Sequence, residues 1–244
     1  MGGSKEGAGI PTPGFPRTHP GSRRVNTRAA LGGPARLLVV LALILLGHSH
    51  LAAGTPPEAS VRAIPDAVGQ HSDALFQNPG TPIGGNRDGD VTLAVFFDYN
   101  CGCCRHFARE LAAVESIDRG LRVVYLELPI GGTRSALAAR AALAAHRQDA
   151  YLEFHESLMG SKGYTSPEGI EGIAQTLLLD LDQLLQDMED PAIGQIIEDN
   201  QRLADQLGIR GTPALVLGDR LVQGAIPRDR LADLIDGVRD RTGP

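Results

Sequence analysis

Val91-Thr92-Leu93-Ala94-Val95-Phe96-Phe97-Asp98-Tyr99-Asn100-Cys101-Gly102-Cys103-Cys104-Arg105-His106-Phe107 is the stretch that decides the fold. From Val91 to Tyr99 it is aromatic, β-branched or aliphatic apart from Asp98, and it is bounded by Asp90 and Asn100. That composition predicts a buried strand. After Cys101 the period changes. Cys104, Phe107, Leu111 and Val114 recur at spacings of three and four, which is one face of a helix. Arg105, Arg109 and Glu110 take the other side, and Gly120 ends the run. A Cys-x-x-Cys pair therefore stands at a strand-to-helix junction, with a third thiol inside it. All three cysteines of the chain fall in these four residues. Such a concentration is used for chemistry rather than for scattered crosslinks.

A helix N-terminus presents unsatisfied N–H groups and a partial positive charge, which stabilise a thiolate placed there. Cys101 holds that position and is the expected attacking sulfur. Cys104 lies one turn on, on the apolar stripe, and is expected to be more buried. The roles follow: Cys101 forms the mixed disulfide with substrate and Cys104 resolves it by intramolecular attack. Gly102 and Cys103 fill the variable dipeptide, in which Cys103 reads as a free thiol, as a group that tunes the Cys101 thiolate, or as a link to a second subunit. On a helix Cys103 points about 100° from Cys104 and about 200° from Cys101, so three thiolates do not converge within one chain. The rival reading is a copper or zinc site built from Cys101, Cys103, Cys104 and His106, because Cys-x-x-Cys is also half of a zinc ribbon.

Outward from this centre, charge is uneven. The first 53 residues hold six basic residues and one acid; the remainder holds 17 basic and 28 acidic residues. A body this acidic offers no electrostatic footprint for nucleic acid. The basic start has another explanation. Leu37 to Leu46 reads LLVVLALILL, preceded by Arg36 and followed by small residues around Ala52-Ala53-Gly54. Residues 1–53 are expected to be a signal peptide with a long basic leading region and a Gly/Pro-rich, disordered start. An apolar run of ten is short for a membrane span, which needs about 20 residues. The expected location is periplasmic or extracytoplasmic, membrane-anchored if the signal is not cleaved. Disulfides persist there, and a lone Cys-x-x-Cys in that setting trades disulfides rather than stapling the fold.

Residues 54–89 form a polar segment with one short helix over Ser72 to Gln77 and turns at Asn78-Pro79-Gly80 and Gly84-Gly85-Asn86. Leu121 to Leu128 predicts a second buried strand. Thr133 to Met188 reads as helix with breaks at Gly160 to Pro167 and near Asp180, and Asp190-Pro191 starts another helix running to about Leu207. Ala214 to Leu217 and Arg220 to Val222 flank Gly218-Asp219, a two-residue hairpin turn. Pro227 opens a last amphipathic helix. This order predicts an α/β layout interrupted by an all-helical insertion. Residues 90–132 and 208–244 belong to the α/β part and 133–207 to the insertion. Just before the hairpin, Thr212-Pro213 opens a strand with a residue that cannot donate to the ladder. If Pro213 packs beside Cys101, the exposed backbone of Thr212 can pair with an extended substrate and hold its sulfur in line.

Together these residues resemble the DsbA family of exported thiol:disulfide oxidoreductases, a thioredoxin fold with an inserted helical domain. The resemblance is carried by Gly89-Asp90-Val91-Thr92, by Phe96 through Cys101 with Cys104, and by Leu128-Pro129-Ile130. It continues through Phe154-His155, Leu158-Met159, Gly208 through Pro213, and Gly224-Ala225-Ile226-Pro227. It implies a cis Pro213 facing the active site, no bound cofactor, and protein substrates carrying thiols or disulfides. It also implies a membrane redox partner of the DsbB or DsbD kind. The stretch between Gly54 and Asn78 shows no dimerisation domain, which favours a monomeric oxidase over an isomerase. Two positions depart from the pattern. Relatives commonly carry a buried Glu where this chain has Val95, an acid that can relay protons to the buried thiol. The dipeptide Gly102-Cys103 also replaces the familiar Pro-His or Pro-Tyr.

Overall fold

The computed structural model describes residues 59–163 and 165–242. Strand β1 (Ser60–Ala63) is followed by helices α1 (Pro65–Gln70) and α2 (Ser72–Phe76) and by strand β2 (Ile83–Gly85). Then come β3 (Val91–Phe97), α3 (Gly102–Glu115) and β4 (Leu121–Glu127). Five helices separate β4 from the next strand: α4 (Thr133–His146), α5 (Tyr151–Gly160), α6 (Pro167–Thr176), α7 (Leu181–Met188) and α8 (Pro191–Gln206). Strands β5 (Ala214–Leu217) and β6 (Arg220–Gln223) and helix α9 (Arg228–Thr242) complete the order.

The six strands form one sheet in the order β1-β6-β5-β3-β4-β2. Only β3 and β4 run parallel, with Val95 opposite Tyr125 and Phe97 opposite Glu127; the other pairings are antiparallel. A parallel pair needs a crossover, and α3 supplies it. β3 is covered on both faces. Val91, Leu93, Val95 and Phe97 pack with Phe107, Leu111 and Val114 of α3, with α9, and with the helices between β4 and β5. Ala94 and Phe96 face Leu75, Leu203 and Leu207 on the other side. A central strand buried on both sides reads as a continuous apolar run, which is the pattern of Val91–Phe97.

The thioredoxin-like α/β architecture with a helical excursion is the one the sequence predicts. Differences lie at the edges. The polar segment 54–89 supplies both edge strands of the sheet, β1 on β6 and β2 on β4. All four residues of β1 are exposed, so no hydrophobic alternation marks it. In β2, Gly84 is required because a Cβ there would stand 2.8 Å from the Tyr125 ring; the glycines that read as a turn are the price of a close strand approach. The run Thr133–Met188 also breaks at Arg147–Ala150, where Asp149 takes φ 58°. The expected signal peptide, residues 1–53, lies outside the described residues. Among those described, no helix is long and apolar enough to cross a membrane.

Candidate active site

β3 ends at Phe97, and the chain turns through Asp98, Tyr99 and Asn100 into α3. Asp98 fixes that turn. Its Oδ1 accepts from the Asn100 N–H at 2.8 Å and its Oδ2 from the Gly131 N–H at 2.7 Å. A Cβ on Gly131 would lie 2.5 Å from Ser135 Oγ, so only glycine allows this approach. Asn100 ties the turn to the inserted helices, donating to Ser135 Oγ at 3.2 Å and accepting from the Thr165 N–H at 2.9 Å. Arg105 adds a brace, with Nε donating to Tyr99 O at 2.8 Å and Nη1 to Ser161 O at 3.1 Å. The loop that carries the first thiol is thus held from three directions.

Cys101 is the N-cap of α3, with extended backbone (φ −86°, ψ 119°). It is half-buried, Cys103 is exposed, and Cys104 is 1% exposed. The Cys101 and Cys104 sulfurs are in hydrogen-bond contact. The Cys101 thiol is lowered from 9.0 to about 5, chiefly by the hydrogen bond from Cys104. The Thr212 side chain and the backbone N–H groups of Cys104 and Cys103 add to this, against partial burial. Burial, first, and the contact with Cys101 push the Cys104 thiol far upward. The Asp98 N–H reaches Cys104 Sγ at 3.5 Å. The charged form of one thiol is therefore favoured and that of the other disfavoured, as a helix N-terminus does for a sulfur placed at its cap.

The Thr212-Pro213 peptide bond is cis, and it borders the dithiol. Cys101 Sγ donates to Thr212 O at 3.4 Å. The Thr212 hydroxyl is buried with no fixed partner and lowers both thiols. Of the dipeptide, Gly102 has nothing within 4 Å of the place a Cβ would occupy. Cys103 affects Cys101 through its backbone N–H, while its side chain points to solvent. His106 is on the outer face, near Arg109 Nη2 at 3.4 Å. The donor set of the metal reading is not assembled: among the described residues, no group of three or more His, Cys, Asp or Glu could hold an ion.

Sequence reading missed a second cluster behind the thiols. Glu127, at the end of β4, is 1% exposed. Its Oε1 accepts from Tyr99 OH at 3.0 Å and from Tyr151 OH at 2.8 Å, while its Oε2 has no partner. Burial, only partly offset by these hydroxyls, raises its carboxyl from 4.5 to about 8. His155 Nδ1 lies 3.0 Å from Tyr99 OH, and its ring packs edge-on to Phe97 at 4.9 Å. Burial lowers His155 to about 3, so its ring is neutral. In the sequence, His155 stands out only within the Phe154-His155 pair that carries the family resemblance. The available signal was Glu127 itself, an acid inside an otherwise apolar strand.

A thioredoxin-type sheet, a Cys-x-x-Cys at the start of the crossover helix and a cis-proline beside it define a thioredoxin-fold dithiol protein. More specifically, the model of the DSBA-like thioredoxin domain matches residues 92–236, and the chain belongs to this family, a class of thiol–disulfide oxidoreductases. A thioredoxin-like oxidoreductase from Silicibacter pomeroyi is 43% identical, covering 69% of this chain and 97% of that one, with TM-score 0.67. The thiol-disulfide exchange protein alpha-DsbA2 from Wolbachia pipientis is 30% identical, covering 71% and 94%, with TM-score 0.67. Among curated proteins, the Na(+)/H(+) antiporter NhaA 1 of Salinispora arenicola is 28% identical over 72% of this chain. The chain spans about a quarter of the length of the curated relatives it matches, 22% to 28%.

Proposed function

We propose that this protein is an exported, periplasmic thiol:disulfide oxidoreductase in which Cys101 attacks and Cys104 resolves. The observation that carries this reading is the split between the two thiols, one half-exposed and lowered to about 5, the other buried and raised. A substrate disulfide attacked by Cys101 gives a mixed disulfide and a free substrate thiolate. Cys104 then attacks Cys101 Sγ, releasing the second substrate thiol and leaving the Cys101–Cys104 disulfide. The reverse sequence donates a disulfide to a substrate dithiol. Thr212 and Pro213 are the proposed substrate platform, holding an extended segment with its sulfur in line with Cys101. Gly102 and Cys103 are the proposed tuning dipeptide. The substrates are proteins carrying thiols or disulfides, and a membrane partner of the DsbB or DsbD kind resets the couple. Electrons pass between sulfur atoms alone, so the chemistry requires no bound cofactor. Residues 1–53 act as the export signal, 90–132 with 208–244 as the redox domain and 133–207 as its helical insertion.

The test is a pair of substitutions in the full chain. Cys101→Ser is expected to abolish disulfide exchange. Cys104→Ser is expected to accumulate mixed disulfides with client proteins, seen as reducible high-mass species on non-reducing gels. Normal turnover by Cys104→Ser contradicts the role assignment.

A further inference from the structure

Cys104 must gain a proton when it leaves as a thiolate and lose one before it attacks. Its neighbours on β3, Val95 and Phe97, are apolar. An acid nevertheless approaches from the neighbouring strand. Glu127 pairs with Phe97 across the β3–β4 ladder, and it is joined to Tyr99 and through Tyr99 to His155. His155 in turn shares a cavity with the buried thiol. Cys104, Val95, Phe97, Phe107, Tyr125 and His155 all line a space of about 10 Å³, near the minimum for a single water. The hydrogen-bonded chain and the cavity meet at His155.

We propose that Glu127, Tyr99 and His155 form a proton relay that serves Cys104. This rests on the disulfide-exchange reading above. Tyr99 has one hydroxyl proton and two neighbours, so two bonding patterns satisfy the chain. In the first, Glu127 holds a proton on Oε1 and donates it to Tyr99, Tyr99 donates to His155 Nδ1, and His155 Nε2 carries its hydrogen. When a thiol attacks Cys101 Sγ, the Cys101–Cys104 bond breaks and Cys104 leaves as thiolate. The Nε2 proton passes to Cys104, the Tyr99 proton to Nδ1 and the Glu127 proton to Tyr99. The second pattern results: Glu127 ionised, Nδ1 protonated, Nε2 bare. Resolution runs the same transfers backward, with Glu127 taking the proton before Cys104 attacks. No charge leaves the site except along this chain.

The unpartnered Oε2 of Glu127 supports the assignment. A buried carboxylate with one oxygen unpaired is costly when ionised, which keeps Glu127 close to its proton. Its carboxyl, raised to about 8, is poised to change state near neutral pH, as an acid–base group requires. The titratable groups around the relay are Asp98 on the active-site turn, Tyr125 on β4, Arg105 and Glu115 on α3, and Tyr151 and Glu156 on α5. Glu115, Glu156, Tyr125 and His155 also line a groove of about 290 Å³ between α3 and α5. That groove is the competing proton route.

The test uses the oxidised full-length protein mixed with reduced glutathione, acid-quenched and read by mass spectrometry for the Cys101 mixed disulfide. Glu127→Gln keeps an acceptor for both tyrosines but cannot carry the proton. Tyr99→Phe breaks the wire with Glu127 intact, and covers the case that the first variant folds poorly. Glu115→Gln interrupts the groove. The relay predicts that Glu127→Gln and Tyr99→Phe slow mixed-disulfide formation about 100-fold at neutral pH. It also predicts that the wild-type rate per unit of glutathione thiolate falls as pH rises through about 8, and that both variants abolish this fall. The alkylation rate of Cys101 in the reduced protein stays at the wild-type value in each. Rates within twofold of wild type and an unchanged pH profile in both relay variants overturn the relay while leaving disulfide exchange standing. So does slowing confined to Glu115→Gln. A wild type that forms no mixed disulfide overturns the exchange reading, and the relay with it.

Discussion

Thr212 stands beside the dithiol. Its carbonyl receives Cys101 Sγ at 3.4 Å, and its buried hydroxyl has no fixed partner. A donor in that place favours the charged thiol, because hydrogen bonds to an ionised group are stronger than those to a neutral one. Thr212→Val keeps the shape and removes the donor. It is expected to raise the Cys101 midpoint by about one to two pH units, since such a bond is worth roughly 1.5–3 kcal/mol. Ultraviolet thiolate absorbance against pH reads it, and an unmoved midpoint contradicts the role. Asp98 shows the opposite outcome. It invites reading as an active-site charge, yet both oxygens are engaged in holding Asn100 and Gly131, and its contact with Cys104 is made by its backbone N–H. Cys103 is the residue whose sequence position promises most and whose side chain touches least. The stripe Cys104, Phe107, Leu111 and Val114 already places it on the far side of the helix, where it is exposed.

At the scale of elements, α3 converts a position in the chain into a redox property. Its first turn aims N–H groups at Cys101, and a helix N-terminus carries a partial positive charge. The folded dithiol is therefore stabilised as its thiolate. With the Cys101 thiol lowered from 9.0 to about 5, that stabilisation is fully present above about pH 9. It is lost as pH falls through about 5. Whatever stabilises the reduced form makes the disulfide more oxidising. The reduction potential at pH 7, measured against a glutathione buffer, is expected between about −120 mV and about −270 mV, the values of a strong oxidant and of thioredoxin. A value below about −270 mV contradicts the tuning. The elements themselves differ in legibility. β3, α3, β4 and the β5–β6 hairpin follow from periodicity and turn chemistry, because each buries a defined face. β1 buries none, and β2 consists of Ile83, Gly84 and Gly85, so tertiary pairing alone makes them strands. The Glu127 cluster escaped for a related reason. Its members lie on β4, on the active-site turn and on α5, and only the folded chain brings them together.

At the scale of the molecule, one sheet and one crossover helix set two thiols a turn apart in unlike surroundings. The inserted helices supply Ser135, Ser161 and Thr165 to steady the turn that carries Cys101, and His155 and Tyr151 to the polar cluster behind Cys104. The insertion is thus part of the redox centre's support, which connects the helical block to the chemistry. Arg239 near the C-terminal end of α9 bridges Asp90 and Asp118 at 2.6 and 2.9 Å, locking α9 against the loops that flank β3 and β4. This architecture is expected to make Cys101 a low-pKa nucleophile and Cys104 its buried partner. That division of roles is tested most directly by alkylating the reduced protein with iodoacetamide across a pH series and locating the adducts by peptide mass spectrometry. The Cys101 adduct is expected to rise with a midpoint near pH 5 while Cys104 stays unmodified. A Cys101 midpoint near 9, or modification of Cys104 ahead of Cys101, contradicts it.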